Sequence, residues 1–307
     1  TVSVLKLNQK QDKLLSGSWD KSIRHWDLNT GDCITKYSMC TGQISNIQYR
    51  PQGLTDLVLQ TEDASNDGEG DGEADGEEDV DSLFGDSDDD DDERKPATKK
   101  EKNNSAHSKV YNNESIFMSS SIDGTINIWD VRTQNPVMKF GNSEGVPPWC
   151  MSSTWSNCGD FIYAGRRNST VEEFSIKMPH KRFTSGHAKD VMVPNVLKLL
   201  QFPKISGPVS AISTMPNNDF ILCGSSDNIR LYNLKLYDEL GTASTTQKLS
   251  KKPATPFLII PGHQGGVLSC LYVDETGRFM VSASGNRGWG HANYTESVIV
   301  YEIDFEG

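Results

Sequence analysis

The 307-residue chain contains no apolar run approaching the roughly 18 residues a membrane-spanning helix needs, which excludes a helical membrane protein. No secretory leader is visible, although one upstream of Thr1 is left open. The chain has no GxxxxGK[ST], no GxSxG and no HExxH, so phosphate-cradling, serine-hydrolase and zinc-protease chemistry have no footing. Its six cysteines (Cys33, Cys40, Cys150, Cys158, Cys223, Cys270) include no CxxC pair, which argues against a zinc knuckle or redox couple. They read as reduced thiols in a reducing compartment. The six histidines do not cluster at ligand spacing; even His180 and His187 have no cysteine or paired carboxylate beside them. Neither a cofactor nor a metal is expected, and the chain reads as a non-enzyme.

What the chain does have is a repeat. The segments SGSWDKSIRHWDL (16–28) and SSSIDGTINIWDV (119–131) are nearly interchangeable, and three weaker copies follow. Each copy reads as two apolar strands joined by a polar turn, with a third strand after a tight turn. The first two strands fall at 2–7 with 14–17, 44–49 with 116–121, 149–155 with 161–165, 209–215 with 220–224, and 267–273 with 279–283. Third strands are expected at 22–28, 125–131, 170–176, 228–234 and 297–303, with apolar and polar residues alternating as in a half-buried strand. An aromatic closes each one: Trp26, Trp129, Phe174, Tyr232 and Tyr301. Setting aside insertions at 60–112, 177–194 and 241–255 leaves about 44 residues per unit, the length of one four-stranded propeller blade.

Charge is segregated. The formal net charge is −12, yet 18 of the 42 acidic residues lie within 62–93, a stretch with no Lys or Arg, so the rest of the chain is net positive. The basic run RKPATKKEK (94–102) follows at once. A segment so acidic, so rich in Gly and so poor in apolar residues cannot offset its chain entropy by burial. Residues 62–112 are therefore expected to form a disordered acidic-then-basic insertion within the second blade, with the propeller at 1–61 and 113–306. Leu83 and Phe84, beside Asp88, Asp89, Asp90, Asp91 and Asp92, make an apolar anchor in a field of carboxylates that could steer a basic partner surface. A solvated loop that only aids solubility is the alternative.

These residues resemble the WD-repeat β-propeller family, an all-β fold. Trp26-Asp27 and Trp129-Asp130 match the dipeptide that names it, Gly262-His263 matches the opening Gly-His, and Asp20, Asp123 and Asp227 stand where the family places a turn aspartate. The later units depart from the pattern with Phe174-Ser175, Tyr232-Asn233 and Tyr301-Glu302, so the family's buried His/Asp network is expected to be mostly absent. The resemblance implies five blades of a ring with about two more upstream, a closed five-bladed ring being the alternative. It also implies an interaction platform whose contacts sit on the rim bearing the turns between second and third strands. There the candidates are Trp19, Ile122, Arg166, Arg167, Arg287 and Trp289, Trp and Arg being favoured at interface centres.

The divergent third and fifth units and the acidic insertion are similar to the WD-repeat subunit of the fungal SAGA transcription coactivator. That similarity implies a nuclear adaptor that engages the TATA-binding protein and other coactivator subunits, with no sequence-specific nucleic-acid binding, no membrane contact and no homo-oligomer. A histone- or ribosome-assembly adaptor, or a ubiquitin-ligase substrate receptor carrying Trp129-Asp130-Val131-Arg132, are the alternatives.

Overall fold

The computed structural model describes residues 1–61, 107–142, 149–177, 181–182, 191–226, 228–239, 255–263, 267–285 and 296–304. Blade one is β1 (Val2–Leu7), β2 (Lys13–Ser18), β3 (Ile23–Asp27) and β4 (Cys33–Tyr37). Blade two opens on β5 (Ile44–Tyr49), is interrupted by β6 (Leu57–Thr61) and β7 (His107–Tyr111), and resumes with β8 (Ile116–Ser121), β9 (Ile126–Asp130) and β10 (Met138–Phe140). Blade three is β11 (Cys150–Trp155), β12 (Phe161–Arg166) and β13 (Thr170–Ser175), then β14 (Lys181–Arg182) and β15 (Met192–Val193) before β16 (Val196–Gln201). Blade four is β17 (Ala211–Thr214), β18 (Phe220–Gly224), β19 (Ile229–Asn233) and β20 (Phe257–Ile260), and blade five is β21 (Val267–Val273), β22 (Phe279–Gly285) and β23 (Ser297–Glu302).

The five closing aromatics occupy one register. Trp26 faces Leu14, Trp129 faces Phe117, Phe174 faces Ile162, Tyr232 faces Ile221 and Tyr301 faces Met280, each across the second and third strands of its blade. The innermost strands β1, β5, β11, β17 and β21 approach one another in succession. Blades stack face to face, so the core is a set of junctions. Leu15, Ile23, Tyr37, Ile44, Ile47, Phe117 and Trp129 fill the one between blades one and two. Tyr163, Val171, Leu200, Ile212, Ile221 and Tyr232 do so between blades three and four, and Leu222, Ile229, Leu268, Leu271 and Met280 between four and five.

Strand patterns follow from this stacking. In β8, β9, β11 and β13 every residue is buried, since blades two and three have neighbours on both faces, whereas β23 alternates because one face alone meets blade four. Where blades approach most closely the second strand carries glycine. A Cβ on Gly17 would lie 2.6 Å from Ile44, and one on Gly224 would lie 2.5 Å from Leu268.

Three expectations change. The outer strands were not located by the repeat, and blade two gains an extension: β15, from the 177–194 insertion, pairs parallel to β10, and β14 pairs with β15. The insertion in blade two was bounded at 112, yet the chain pairs again from His107, because the alternating HSKVY of β7 finds β6 as a partner. Contacts set Val58–Lys109 apart as a second unit from the propeller of Thr1–Leu57 and Val110–Gly307. Residues 62–106, with the expected acidic tether, lie outside the described residues. Third, more of the repeat's polar network survives than the departures suggested. The Trp26 and Trp129 indoles donate to Ser16 at 2.8 Å and Ser119 at 2.9 Å, and His263 shares a 2.5 Å hydrogen bond with Ser282.

Candidate protein-interaction surface

Antiparallel order puts the turns after β2, β8, β12 and β18 at one end of the blades, together with the segments that carry the chain from one blade to the next. The turn aspartates fix these turns. Asp20 accepts from the Ser22 amide at 2.9 Å and its hydroxyl at 2.6 Å, and these bonds hold its carboxyl down at about 2. Asp123 does the same for Thr125, at 3.1 and 2.8 Å, and also accepts from Thr41 on the preceding inter-blade segment. Turns held in this way can present side chains without reorganising.

Trp19 is 54% exposed on the first turn, with its amide anchored to the Thr1 carbonyl at 2.9 Å. Ile122 is half-buried on the second, its amide bonded to Gln43 O at 2.8 Å. Adjacent in sequence, Arg166 and Arg167 part company. Arg167 is exposed, and its guanidinium lies 4.0 Å from the centre of the Trp149 ring, an arrangement that leaves its outward donors available. Arg166 is fully buried: it donates to Glu172 at 2.8 Å and to the Gly124 carbonyl of blade two at 3.0 Å. A side chain with no exposed surface cannot touch a partner, so Arg166 leaves the candidate set and becomes a tie between blades. Arg287, Trp289 and the acidic cluster of Leu83, Phe84, Asp88, Asp89, Asp90, Asp91 and Asp92 lie outside the described residues.

Sequence reasoning missed two residues on this end. Trp149 takes φ +93°, a left-handed backbone rare for a bulky side chain, and its carbonyl receives the Arg167 amide at 3.2 Å. Ile205 is 91% exposed on the segment joining blades three and four. The Pro203 and Gly207 that bracket it were the available signal, since together they favour a tight turn with an outward apex.

Along the innermost strands runs a cavity of about 280 Å³, lined largely by serine, threonine and amide side chains including Ser45, Asn46, Ser153, Ser210 and Ser269. Lys6 is its single charged lining residue among the described residues, and no described group of three or more His, Cys, Asp or Glu could hold a metal. The described cysteines are all free thiols, with burial pushing Cys40 up to about 11 and Cys223 well above the usual thiol range. Thiols held protonated in this way are poor nucleophiles. Arg132, in the tetrapeptide that fits a ligase-receptor motif, is clamped to Asp130 at 2.5 Å.

Residues 1–304 match the family described as the SPT8 beta propeller. The chain is 40% identical over 99% of its length to the SAGA complex subunit SPT8 of Saccharomyces cerevisiae, covering 49% of that protein. It is 38% identical over 98% of its length to the SAGA complex subunit Spt8 of Schizosaccharomyces pombe, covering 55%. The chain thus spans about half the length of these relatives. Likeness to an F-box protein of Saccharomyces cerevisiae is weaker, 27% over 47% of the chain and 21% of that protein, and reflects shared repeats. The matched propeller is a non-catalytic scaffold, and since the match takes in the divergent third and fifth blades as well as the two regular ones, the chain belongs to the SPT8 β-propeller family.

Proposed function

We propose that this propeller is an interaction scaffold of a nuclear SAGA-type transcription coactivator, and that it engages the TATA-binding protein and regulates its delivery to promoters. The observation that carries the reading is the match to two proteins named as SAGA complex subunits across almost the whole chain. The geometry supports a binding role: turns locked by Asp20 and Asp123 present Trp19, Ile122 and Arg167 on one end of the blades. Arg287 and Trp289 belong to the same proposed surface by their place between β22 and β23.

The acidic cluster around Leu83 and Phe84 supplies the second part of the mechanism. A dense carboxylate array competes for a basic, nucleic-acid-binding surface by the electrostatics of phosphate recognition. The chain leaves blade two for this insertion after β5, at the strand end opposite the β8–β9 turn. Rim and insertion are thus separate contacts, one for docking and one for tuning occupancy.

Affinity purification of the full-length protein from its own cells tests the reading. Coactivator subunits should co-elute in stoichiometric amount; elution free of them would contradict it.

A further inference from the structure

Ile205 is the most exposed large apolar side chain among the described residues, at 91%, and everything around it is built to hold it there. It tops the single turn Lys204–Ser206, entered from Pro203 and left through Gly207, whose φ of +73° suits glycine alone among ordinary residues. Beneath the apex Ser206 is fully buried, its hydroxyl accepting from Arg230 at 2.9 Å and its carbonyl from the Ser226 amide at 3.0 Å. The Gly207 carbonyl accepts from the Ser169 hydroxyl at 2.8 Å, and the Phe202 amide donates to Ser169 O at 2.8 Å. Those bonds fasten the turn to the β12–β13 turn, which carries Arg167 on Trp149.

A mobile loop could fold an exposed isoleucine back onto its own surface; this turn cannot. The two cations beside it, Lys204 and Arg167, are both exposed, and neither 165–171 nor 202–210 contains a carboxylate. Asp227, in the neighbouring turn, lies outside the described residues.

We propose that the 203–207 turn is a docking knob: Ile205 enters an apolar socket on another subunit of the coactivator, and carboxylates around that socket pair with Lys204 and Arg167. This deepens the scaffold reading and rests on it. The acidic rim follows from charge complementarity, and it separates this contact from the one with the TATA-binding protein, whose partner surface must be basic to meet the acidic insertion. A rigid anchor loses little side-chain or loop entropy on docking, which is why a single residue can dominate such a contact.

The test uses the full-length protein and coactivator complex purified from cells lacking it, with affinity measured over a salt series. Ile205→Asp should weaken binding at least about tenfold, and Ile205→Val should bind nearly as the parent does. Arg167→Glu with Lys204→Glu should weaken binding and flatten its salt dependence. All variants should keep the parental melting temperature, since these side chains contribute little to the core, and should still bind the TATA-binding protein. Unchanged complex binding by Ile205→Asp would overturn the knob, as would equal loss of complex and TATA-binding protein. If the parent protein itself fails to join the complex, the scaffold reading falls and the knob with it.

Discussion

Arg166 and Glu172 form an ion pair at 2.8 Å with side-chain exposures of 0% and 1%. Breaking a buried pair strands one charge in a low-dielectric interior, which typically costs about 3–5 kcal/mol. Glu172→Ala should therefore destabilise the propeller by about that amount in urea unfolding. Replacing both partners with apolar residues of similar volume should cost far less. A cost below about 1 kcal/mol for Glu172→Ala would mean that water reaches the pair.

The neighbouring arginines separate structure from binding. Arg166→Ala should lower the melting temperature, and any loss of partner binding should track that drop. Arg167→Ala should leave the melting temperature nearly unchanged while weakening a partner that docks on the rim. Equal melting losses in the two variants would contradict their assigned places.

Trp129 is fully buried, stacks on Phe117 at 6.0 Å, and donates to Ser119 at 2.9 Å. Trp129→Ala should cost about 3–5 kcal/mol by calorimetry or denaturant unfolding. Trp26, its repeat equivalent, is only partly buried, so Trp26→Ala should cost less. The reverse order would place the stronger junction elsewhere.

Burial holds His25 and His263 below the ordinary histidine range, with Lys13 adding to the effect on His25 while Asp12 and Asp27 oppose it. The folded state therefore binds fewer protons than the unfolded state. The stability these neutral rings allow is complete above about pH 6.5 and declines as pH falls below it. His25→Gln and His263→Gln should each flatten the slope of urea midpoint against pH between about 7 and 5. Parental slopes in both would assign the acid sensitivity to other groups.

Deleting 62–93 removes 18 carboxylates and no cation. The deletion should weaken binding of the TATA-binding protein more at low salt than at high salt, since screening has already reduced the acidic contribution at high salt. Unchanged affinity at both salts would take the insertion out of the mechanism.

The fold was legible in the sequence because the repeat marks its own register: five aromatics predicted from spacing face five apolar partners at one position of the blade. The outer strands were not legible, because each is short, sits at a sheet edge and follows a segment of variable length. The pairing of β15 with β10 joins an insertion to a blade already complete, and no local pattern announces a contact of that kind.

At the candidate site the limit was orientation. Arg166 and Arg167 look alike in sequence, yet Arg166 ends β12 facing inward while Arg167 starts the turn. Glu172 and Glu173 read as solvent-facing charges but are both buried, each against a cation supplied by a neighbouring strand: Arg166 on β12 and Lys198 on β16. Neither partner can be found from local alternation.

The most direct measurement is equilibrium binding of the full-length protein to purified TATA-binding protein, with core histones as competitor. Selective binding to the TATA-binding protein, resistant to histones, is the predicted result. No binding, or preference for histones, would contradict the coactivator-adaptor role and leave the propeller a scaffold for a different partner.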